Sequence, residues 1–113
     1  MHELSIAQSI LDIVDETFSK NKYKELLEVK VKIGELVAVV PESLTFCYET
    51  LAKDTKYDKS KLTVEILPVI ALCTKCKKEF DVKELFFVCP HCGSKDTKIL
   101  QGNELKISHL DVN

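Results

Sequence analysis

The chain has 113 residues, of which 45% are hydrophobic and 30% are charged, and its formal net charge is −2. This composition is typical of a soluble globular protein that forms one domain, or a small domain with a metal-stabilised module. No apolar run approaches the roughly 20 residues of a membrane-spanning helix, and the N-terminus lacks a secretory signal pattern. We therefore expect a cytoplasmic protein that does not contact a membrane.

All sixteen basic residues are lysines. Arginine supplies the planar fork that makes bidentate contacts with phosphate and guanine, and this chain has none. Residues 73–98 contain six lysines against four carboxylates, a small positive excess for non-specific phosphate binding. We therefore expect no nucleic-acid partner, although a zinc-ribbon module that binds nucleic acid or protein stays as an alternative function.

Two helices and a strand are predicted in the first half of the chain. Residues 4–18 carry apolar side chains at three- and four-residue spacing, which predicts an amphipathic helix. Residues 27–33 alternate between apolar and polar and predict a half-buried strand that ends at Gly34. Pro41 begins a second helix. The apolar face of that helix contains Leu44, Cys47, Tyr48 and Leu51, and we interpret Cys47 as a small core residue.

The second half of the chain predicts short strands around a cysteine module. Residues 62–66 alternate as a strand, and Pro68 favours its departure from the sheet. Hairpin-like stretches are expected at 79–82 and 85–88. Residues 105–112 predict a last strand, in which His109 shares the apolar face and is expected to be packed or half-buried. This order predicts an α+β fold with the cysteine module inserted before the last strand.

The spacing Cys73-x-x-Cys76-x12-Cys89-x-x-Cys92 predicts a four-sulfur metal site. Each pair forms a tight knuckle, and two knuckles give the tetrahedral thiolate set that suits Zn²⁺. A closed shell of four sulfurs leaves no position for water, so the zinc would be structural. Iron is the alternative metal, and the first knuckle lacks the glycine that follows the second at Gly93. His91, inside the second knuckle, is interpreted as an exposed loop residue.

The N-terminal sequence Met1-His2-Glu3 offers a second metal-binding set. The imidazole of His2, its backbone nitrogen and the terminal amine close adjacent chelate rings, and such nitrogen donors suit square-planar Ni²⁺ or Cu²⁺. Taken alone, a histidine near a terminus is more often a solvated residue. No nucleophile–base pair, Gly-rich phosphate loop or open zinc motif is present, so we do not expect an enzyme.

Several motifs together resemble the HypA/HybF family of hydrogenase maturation nickel chaperones, and the resemblance covers essentially the whole chain. The motifs that carry it are Met1-His2-Glu3-Leu4-Ser5-Ile6, Ile33-Gly34-Glu35, Pro41-Glu42-Ser43-Leu44-Thr45-Phe46, the two C-x-x-C pairs and Gln101-Gly102-Asn103-Glu104-Leu105. The resemblance implies two helices on a three-stranded sheet, with an inserted four-cysteine, zinc-ribbon-like domain. It assigns residues 1–70 and 98–113 to a nickel-binding α+β domain and 71–97 to a zinc-binding domain.

The resemblance also implies a ligand set and partners. Nickel, the transferred cargo, would be bound by His2, Glu3 and Met1, through the imidazole and nearby backbone nitrogens. Some family members carry a further aspartate ligand where this chain has Pro41, which offers no donor; Glu42 is the adjacent carboxylate. The implied partners are the HypB GTPase, the large subunit of [NiFe]-hydrogenase and, in some organisms, urease maturation proteins; a homodimer is also conceivable.

Overall fold

The computed structural model describes residues 2–113 and divides the chain into two compact units. The helical unit contains the residues up to Lys32, Val39–Glu65 and Lys106–Asn113. The cysteine unit contains Ile33–Ala38 and Ile66–Leu105. The elements in chain order are α1 (Glu3–Ser19), β1 (Leu26–Gly34), a 3₁₀ turn (Glu35–Val37), α2 (Pro41–Ala52), β2 (Lys61–Leu67), β3 (Ile70–Cys73), β4 (Glu79–Asp81), β5 (Thr97–Gln101) and β6 (Leu105–Val112).

The helical unit confirms the predicted α+β class, with two helices and a three-stranded sheet. Helix α1 packs against α2, and the sheet has the strand order β2-β1-β6. Most of the predicted apolar stripe of α1 is buried, although its members Leu4 and Ile13 are exposed. The buried residues are Ile6, Ala7, Ile10, Leu11, Val14 and Phe18. From α2, Leu44, Tyr48 and Ala52 are buried, whereas Cys47 is only half-buried. No helix within residues 2–113 is long and apolar enough to cross a membrane.

Strand β6 returns to β1 in the antiparallel direction. The N–H of Asn113 donates to the carbonyl of Glu25 at 2.9 Å, and the N–H of Gly34 donates to that of Glu104 at 2.8 Å. The start of one strand therefore lies beside the end of the other. The prediction for His109 is wrong, because its side chain is exposed. Since β6 is an edge strand, its side chains have a neighbouring strand on one side only.

The cysteine unit contains a second three-stranded sheet with the order β4-β3-β5. The central strand β3 pairs antiparallel with both neighbours, and Ala71 lies opposite Phe80 on one side and Ile99 on the other. Sequence reasoning missed β3 and β5. The buried core contains Val69, Ala71, Cys73, Phe80, Val82 and Cys89, with Leu36, Cys76 and Phe87 packed against it. Two cysteines of the predicted metal site are therefore part of this core.

The strand-like stretch expected at residues 85–88 is wrong. Glu84 and Leu85 adopt left-handed backbone conformations, with φ of 55° and 59°, which no strand contains. They form a turn closed by the N–H of Phe86, which donates to the carbonyl of Lys83 at 3.0 Å. The turn leaves the side chains of Leu85 and Phe86 exposed. The apolar run therefore reflects a loop rather than a paired strand.

Candidate metal centre

The four predicted cysteines converge on one point in the cysteine unit. Their Sγ atoms all lie within 4.8 Å of one another, and the Cys73–Cys92 and Cys76–Cys89 pairs are 3.5 Å and 3.6 Å apart. A tetrahedral ion with metal–sulfur bonds of about 2.3 Å requires sulfur–sulfur distances of about 3.8 Å. The thiols are free and not joined in disulfides. The four sulfurs therefore lie close enough together to share one four-coordinate metal ion.

The two knuckles repeat one backbone pattern. In the first, the N–H of Cys73 donates to the carbonyl of Lys78, and the carbonyl of Cys73 accepts from Lys77, both at 2.9 Å. In the second, the N–H of Cys89 donates to Ser94 at 2.9 Å, and the carbonyl of Cys89 accepts from Gly93 at 2.8 Å. The offsets of four and five residues are the same in both. The chain thus builds the site from two equivalent turns.

Lys77 occupies the position in the first knuckle that Gly93 occupies in the second. Its φ is 64°, against 75° for Gly93, so both residues are left-handed. A left-handed conformation costs a non-glycine residue roughly 1–2 kcal/mol, because its Cβ crowds the following carbonyl. The first knuckle therefore makes the same turn without a glycine, at the cost of backbone strain. The missing glycine does not distinguish the geometry of the two knuckles.

Backbone N–H groups contact two of the sulfurs, and the segment before β5 fastens the first knuckle. The N–H of Cys76 donates to Sγ of Cys73 at 3.5 Å, and that of His91 donates to Sγ of Cys89 at 3.4 Å. Thr74 fastens the first knuckle to the segment before β5, since its N–H and its hydroxyl both donate to the carbonyl of Asp96, at 2.9 Å and 2.8 Å. The side chain of His91 is exposed, as predicted.

The clustered thiols differ in acidity. The pKa of Cys73 is lowered to about 6, first by the N–H of Cys76 and further by that of Lys75 and by the thiol of Cys92. At Cys92 the N–H of Ser94 lowers the pKa, but the neighbouring thiols, above all that of Cys73, together with burial, raise it to about 11. The Cys73 thiol thus ionises readily, while Cys76 and Cys92, whose pKa values are raised, retain their protons. A bound cation that stabilises all four thiolates would release those protons.

The N-terminal residues lie in the helical unit. His2 is exposed and extended, with φ −81° and ψ 105°, and it is the N-cap residue of α1. Glu3 is the first helical residue, and its carboxylate accepts a hydrogen bond from the N–H of Val40 at 3.1 Å. This bond is the main reason that the pKa of Glu3 is below its ordinary value. Met1 lies outside the described residues.

Within residues 2–113, the four cysteines form the one group of three or more His, Cys, Asp or Glu side chains close enough to share a metal ion. The expected nickel set is of another kind, because it uses backbone nitrogens and Met1. Pro41 is the first residue of α2, and Glu42 is exposed in the first turn. Sequence reasoning did not find the contact of Glu3 with Val40, because a backbone N–H has no signature in residue types.

The fold and the thiolate cluster define a small α+β metal-binding protein with a four-cysteine centre. The family model described as "Hydrogenase/urease nickel incorporation, metallochaperone, hypA" matches residues 1–112. The hydrogenase maturation factor HypA of Geobacter metallireducens is 37% identical over 112 residues, which is 99% of each chain. The chain therefore belongs to the HypA family of nickel metallochaperones for hydrogenase maturation. This confirms the resemblance and the expectation that the protein is not an enzyme.

Solved structures support the same assignment. The solution structure of the Ni metallochaperone HypA from Helicobacter pylori aligns with a TM-score of 0.71 and 29% identity, over 99% of this chain and 97% of that one. A second solution structure of HypA protein aligns with a TM-score of 0.76 and 29% identity, over 100% of this chain and 97% of that one. The fold of this chain is thus the fold of its family.

Proposed function

We propose that this protein captures Ni²⁺ at its N-terminus and delivers it for the maturation of [NiFe]-hydrogenase. The ligands would be the His2 imidazole and the backbone nitrogens of the first residues, including Glu3, with the amine of Met1. Such nitrogen donors favour square-planar Ni²⁺. The chemistry is transfer of a bound ion, so the site has to release nickel as well as bind it. An exposed terminal chelate meets that requirement better than a buried cage.

The backbone N–H groups at the start of α1 support this proposal, because they have no carbonyl acceptor within the helix. The first bond of the helix runs from the N–H of Ile6 to the carbonyl of His2, at 3.2 Å. The N–H groups before Ile6 have no acceptor within the helix, which is general for the first turn. The amides of His2 and Glu3 can therefore lose their protons to water as their nitrogens bind a metal, without breaking a helical hydrogen bond. The positive end of the helix dipole also stabilises the resulting amidate.

The four-cysteine centre is assigned to structural Zn²⁺. Cys73, Cys76, Cys89 and Cys92 would hold the ion, and its role would be to stabilise the core to which Cys73 and Cys89 belong. A tetrahedral shell of four thiolates suits zinc and iron alike, and zinc is preferred because transfer of Ni²⁺ requires no redox chemistry at this centre. In this proposal residues 71–97 are the zinc-binding domain, and residues 1–70 and 98–113 are the nickel-binding domain.

Hydrogenase maturation requires other proteins besides the nickel chaperone, and we infer the partners of this chain from that role. We assign the HypB GTPase as the protein that acts with this chaperone and the large subunit of [NiFe]-hydrogenase as the nickel acceptor. Urease maturation proteins are a second acceptor class, since the family description names both enzymes. These steps would take place in the cytoplasm. At the start of α2, Glu42 is the carboxylate close enough to substitute for the aspartate ligand that Pro41 cannot supply.

The proposal is tested by metal content and calorimetric nickel titration of the tag-free protein with its native Met1. Wild type is compared with His2→Ala at equal zinc content, and His109→Ala serves as a control because His109 is an exposed histidine on β6. We expect wild type and His109→Ala to bind one Ni²⁺, and His2→Ala to lose it while retaining zinc. Equal nickel binding by His2→Ala and wild type, or none by either, would falsify the N-terminal site.

A further inference from the structure

The side chain of Glu3 joins the beginnings of the two helices. Its carboxylate accepts the N–H of Val40 at 3.1 Å, across 37 positions of sequence. Val40 is the N-cap residue of α2, and no side chain of the usual capping type is present there. His2 is the N-cap residue of α1 and is likewise uncapped by its own side chain. Both N-cap residues have extended backbone. The bond between Glu3 and Val40 places the starts of the two helices side by side.

We propose that the carboxylate of Glu3 is a positioning group for nickel capture and not a nickel ligand. It fastens the first residues of the chain to the start of α2 and so fixes the backbone that carries the nitrogens of His2 and Glu3. This inference rests on the proposed function, in which nickel binds at the N-terminus. It assigns to the Glu3 side chain a role separate from that of the Glu3 backbone nitrogen.

The physical basis is preorganisation. A terminal segment that is not fastened samples many backbone conformations, and a metal that binds it must offset the entropy of ordering them. A hydrogen bond from a backbone N–H to a carboxylate is charge-assisted, which makes it stronger than one between neutral groups. It removes part of the freedom of Glu3 before nickel arrives. Affinity gained in this way requires no contact between the carboxylate and the metal.

The local composition favours this role for Glu3. Pro41 follows Val40 and has no N–H, so the first turn of α2 has fewer donors than an ordinary helix start. The N–H of Val40 is available at this junction, and the Glu3 carboxylate accepts it. The Glu3 carboxylate is turned toward this donor and so toward the protein backbone. Glu42, by contrast, is exposed in the same turn.

The test compares Glu3→Gln, Glu3→Ala and the control Glu49→Gln in the full-length, zinc-loaded protein with native Met1. Glu49 is an exposed carboxylate on α2, outside the N-terminal site. Nickel affinity is measured by calorimetry, and the hydrogen exchange of the Val40 amide is measured by NMR. The glutamine carbonyl oxygen still accepts the N–H of Val40, but a neutral amide is a poor ligand for Ni²⁺. The two Glu3 variants therefore separate positioning from ligation.

We expect Glu3→Ala to weaken nickel binding about tenfold and to accelerate exchange at Val40. Glu3→Gln should stay within about threefold of wild type in affinity and retain slow exchange at Val40, and Glu49→Gln should match wild type.

If Glu3→Gln binds as weakly as Glu3→Ala while Val40 stays protected, the carboxylate is a ligand and the inference is wrong. Undiminished binding by Glu3→Ala with a released Val40 also overturns it. Absence of nickel binding in wild type itself would overturn the proposed function as well, so the two failures are distinguishable.

Discussion

Tyr57 shows how one side chain stabilises the helical unit. Its ring is buried and packs edge-on against Phe18, with ring centroids 5.4 Å apart, and its hydroxyl donates to Asp15 on α1 at 2.6 Å. Burial, followed by the bond to Asp15, raises the pKa of Tyr57 well above its ordinary value. The hydroxyl therefore keeps its proton to a higher pH than that of an exposed tyrosine. Tyr57 joins the loop after α2 to the first helix.

Replacing Tyr57 by phenylalanine removes the hydroxyl and keeps the ring. We expect the free energy of unfolding at neutral pH to fall by about 1 kcal/mol, the usual net value of one hydrogen bond. Denaturant titration of the zinc-loaded protein measures it. Tyr23→Phe is the matched control, because Tyr23 also packs edge-on against Phe18 at 5.4 Å but is more exposed. An equal loss in both variants would mean that the contact with Asp15 contributes nothing.

The same pair of variants gives a pH dependence with a definite sign. The folded-state pKa of Tyr57 lies above that of the unfolded chain, about 10, so the folded state retains the proton longer. The contribution of Tyr57 is complete below about pH 10 and is lost as the pH rises through the folded-state pKa. Wild type should therefore lose stability in strong alkali more steeply than Tyr57→Phe. Parallel alkaline profiles would contradict this.

At the scale of secondary-structure elements, the glycine motifs mark a close crossing of two chain segments in the cysteine unit. The N–H of Gly34 donates to the carbonyl of Glu104, and the N–H of Leu36 donates to that of Gly102, both at 2.8 Å. A Cβ added at Gly34 would lie 2.0 Å from the carbonyl carbon and oxygen of Gly102. A backbone carbonyl cannot move aside as a flexible side chain can. The crossing therefore requires glycine for space.

Gly34→Ala should be far more damaging than Gly93→Ala. The added methyl at Gly34 meets backbone, so we expect a loss of at least about 3 kcal/mol, or failure to fold. At Gly93 nothing lies within 4 Å, and the cost is the strain of φ +75°, roughly 1–2 kcal/mol. Soluble yield and thermal unfolding of the two variants at equal zinc content provide the comparison. Equal stabilities would show that the crossing can open without cost.

The predictable elements were those with a long, clear period. Helix α1 was expected over residues 4–18 and forms Glu3–Ser19, because its apolar stripe persists over four turns. Strand β3 has only four residues and was missed, since so short a run shows no reliable alternation. The stretch at 85–88 was predicted wrongly because apolar side chains in a left-handed turn resemble those of a strand. His109 was placed by alternation alone, which does not reveal that its strand lies at an edge.

The candidate site was partly predictable for a similar reason. The two C-x-x-C pairs carry their geometry in their spacing, so the convergence of four sulfurs could be expected from residue types. The left-handed backbone of Lys77 could not be expected from the sequence, because tertiary context and not residue preference sets its conformation. The bond from Val40 to Glu3 was equally hidden, since it connects a backbone group to a side chain far along the chain. The sequence identifies the side chains that can bind a metal better than it identifies the contacts that orient those side chains.

At the scale of the whole molecule, the two units differ in what stabilises them. The helical unit has two helices and a sheet around a sizeable apolar core. The apolar cluster around the cysteines in the cysteine unit has only six buried residues, and two of them are Cys73 and Cys89. So small a core does not normally sustain a fold without a metal or a covalent crosslink. The free energy of metal binding therefore belongs to the folding of the cysteine unit.

Removal of the metal by a chelator should accordingly loosen one unit and not the other. We expect fast hydrogen exchange at the amide of Val82, which donates to Val69 at 2.9 Å, and retained protection at Val14 in α1. Added Zn²⁺ should restore slow exchange at Val82, which controls for irreversible damage by the chelator. Continued protection of Val82 in the metal-free protein would mean that the apolar contacts suffice without a metal. Loss of protection at Val14 as well would mean that folding of the helical unit also depends on the metal.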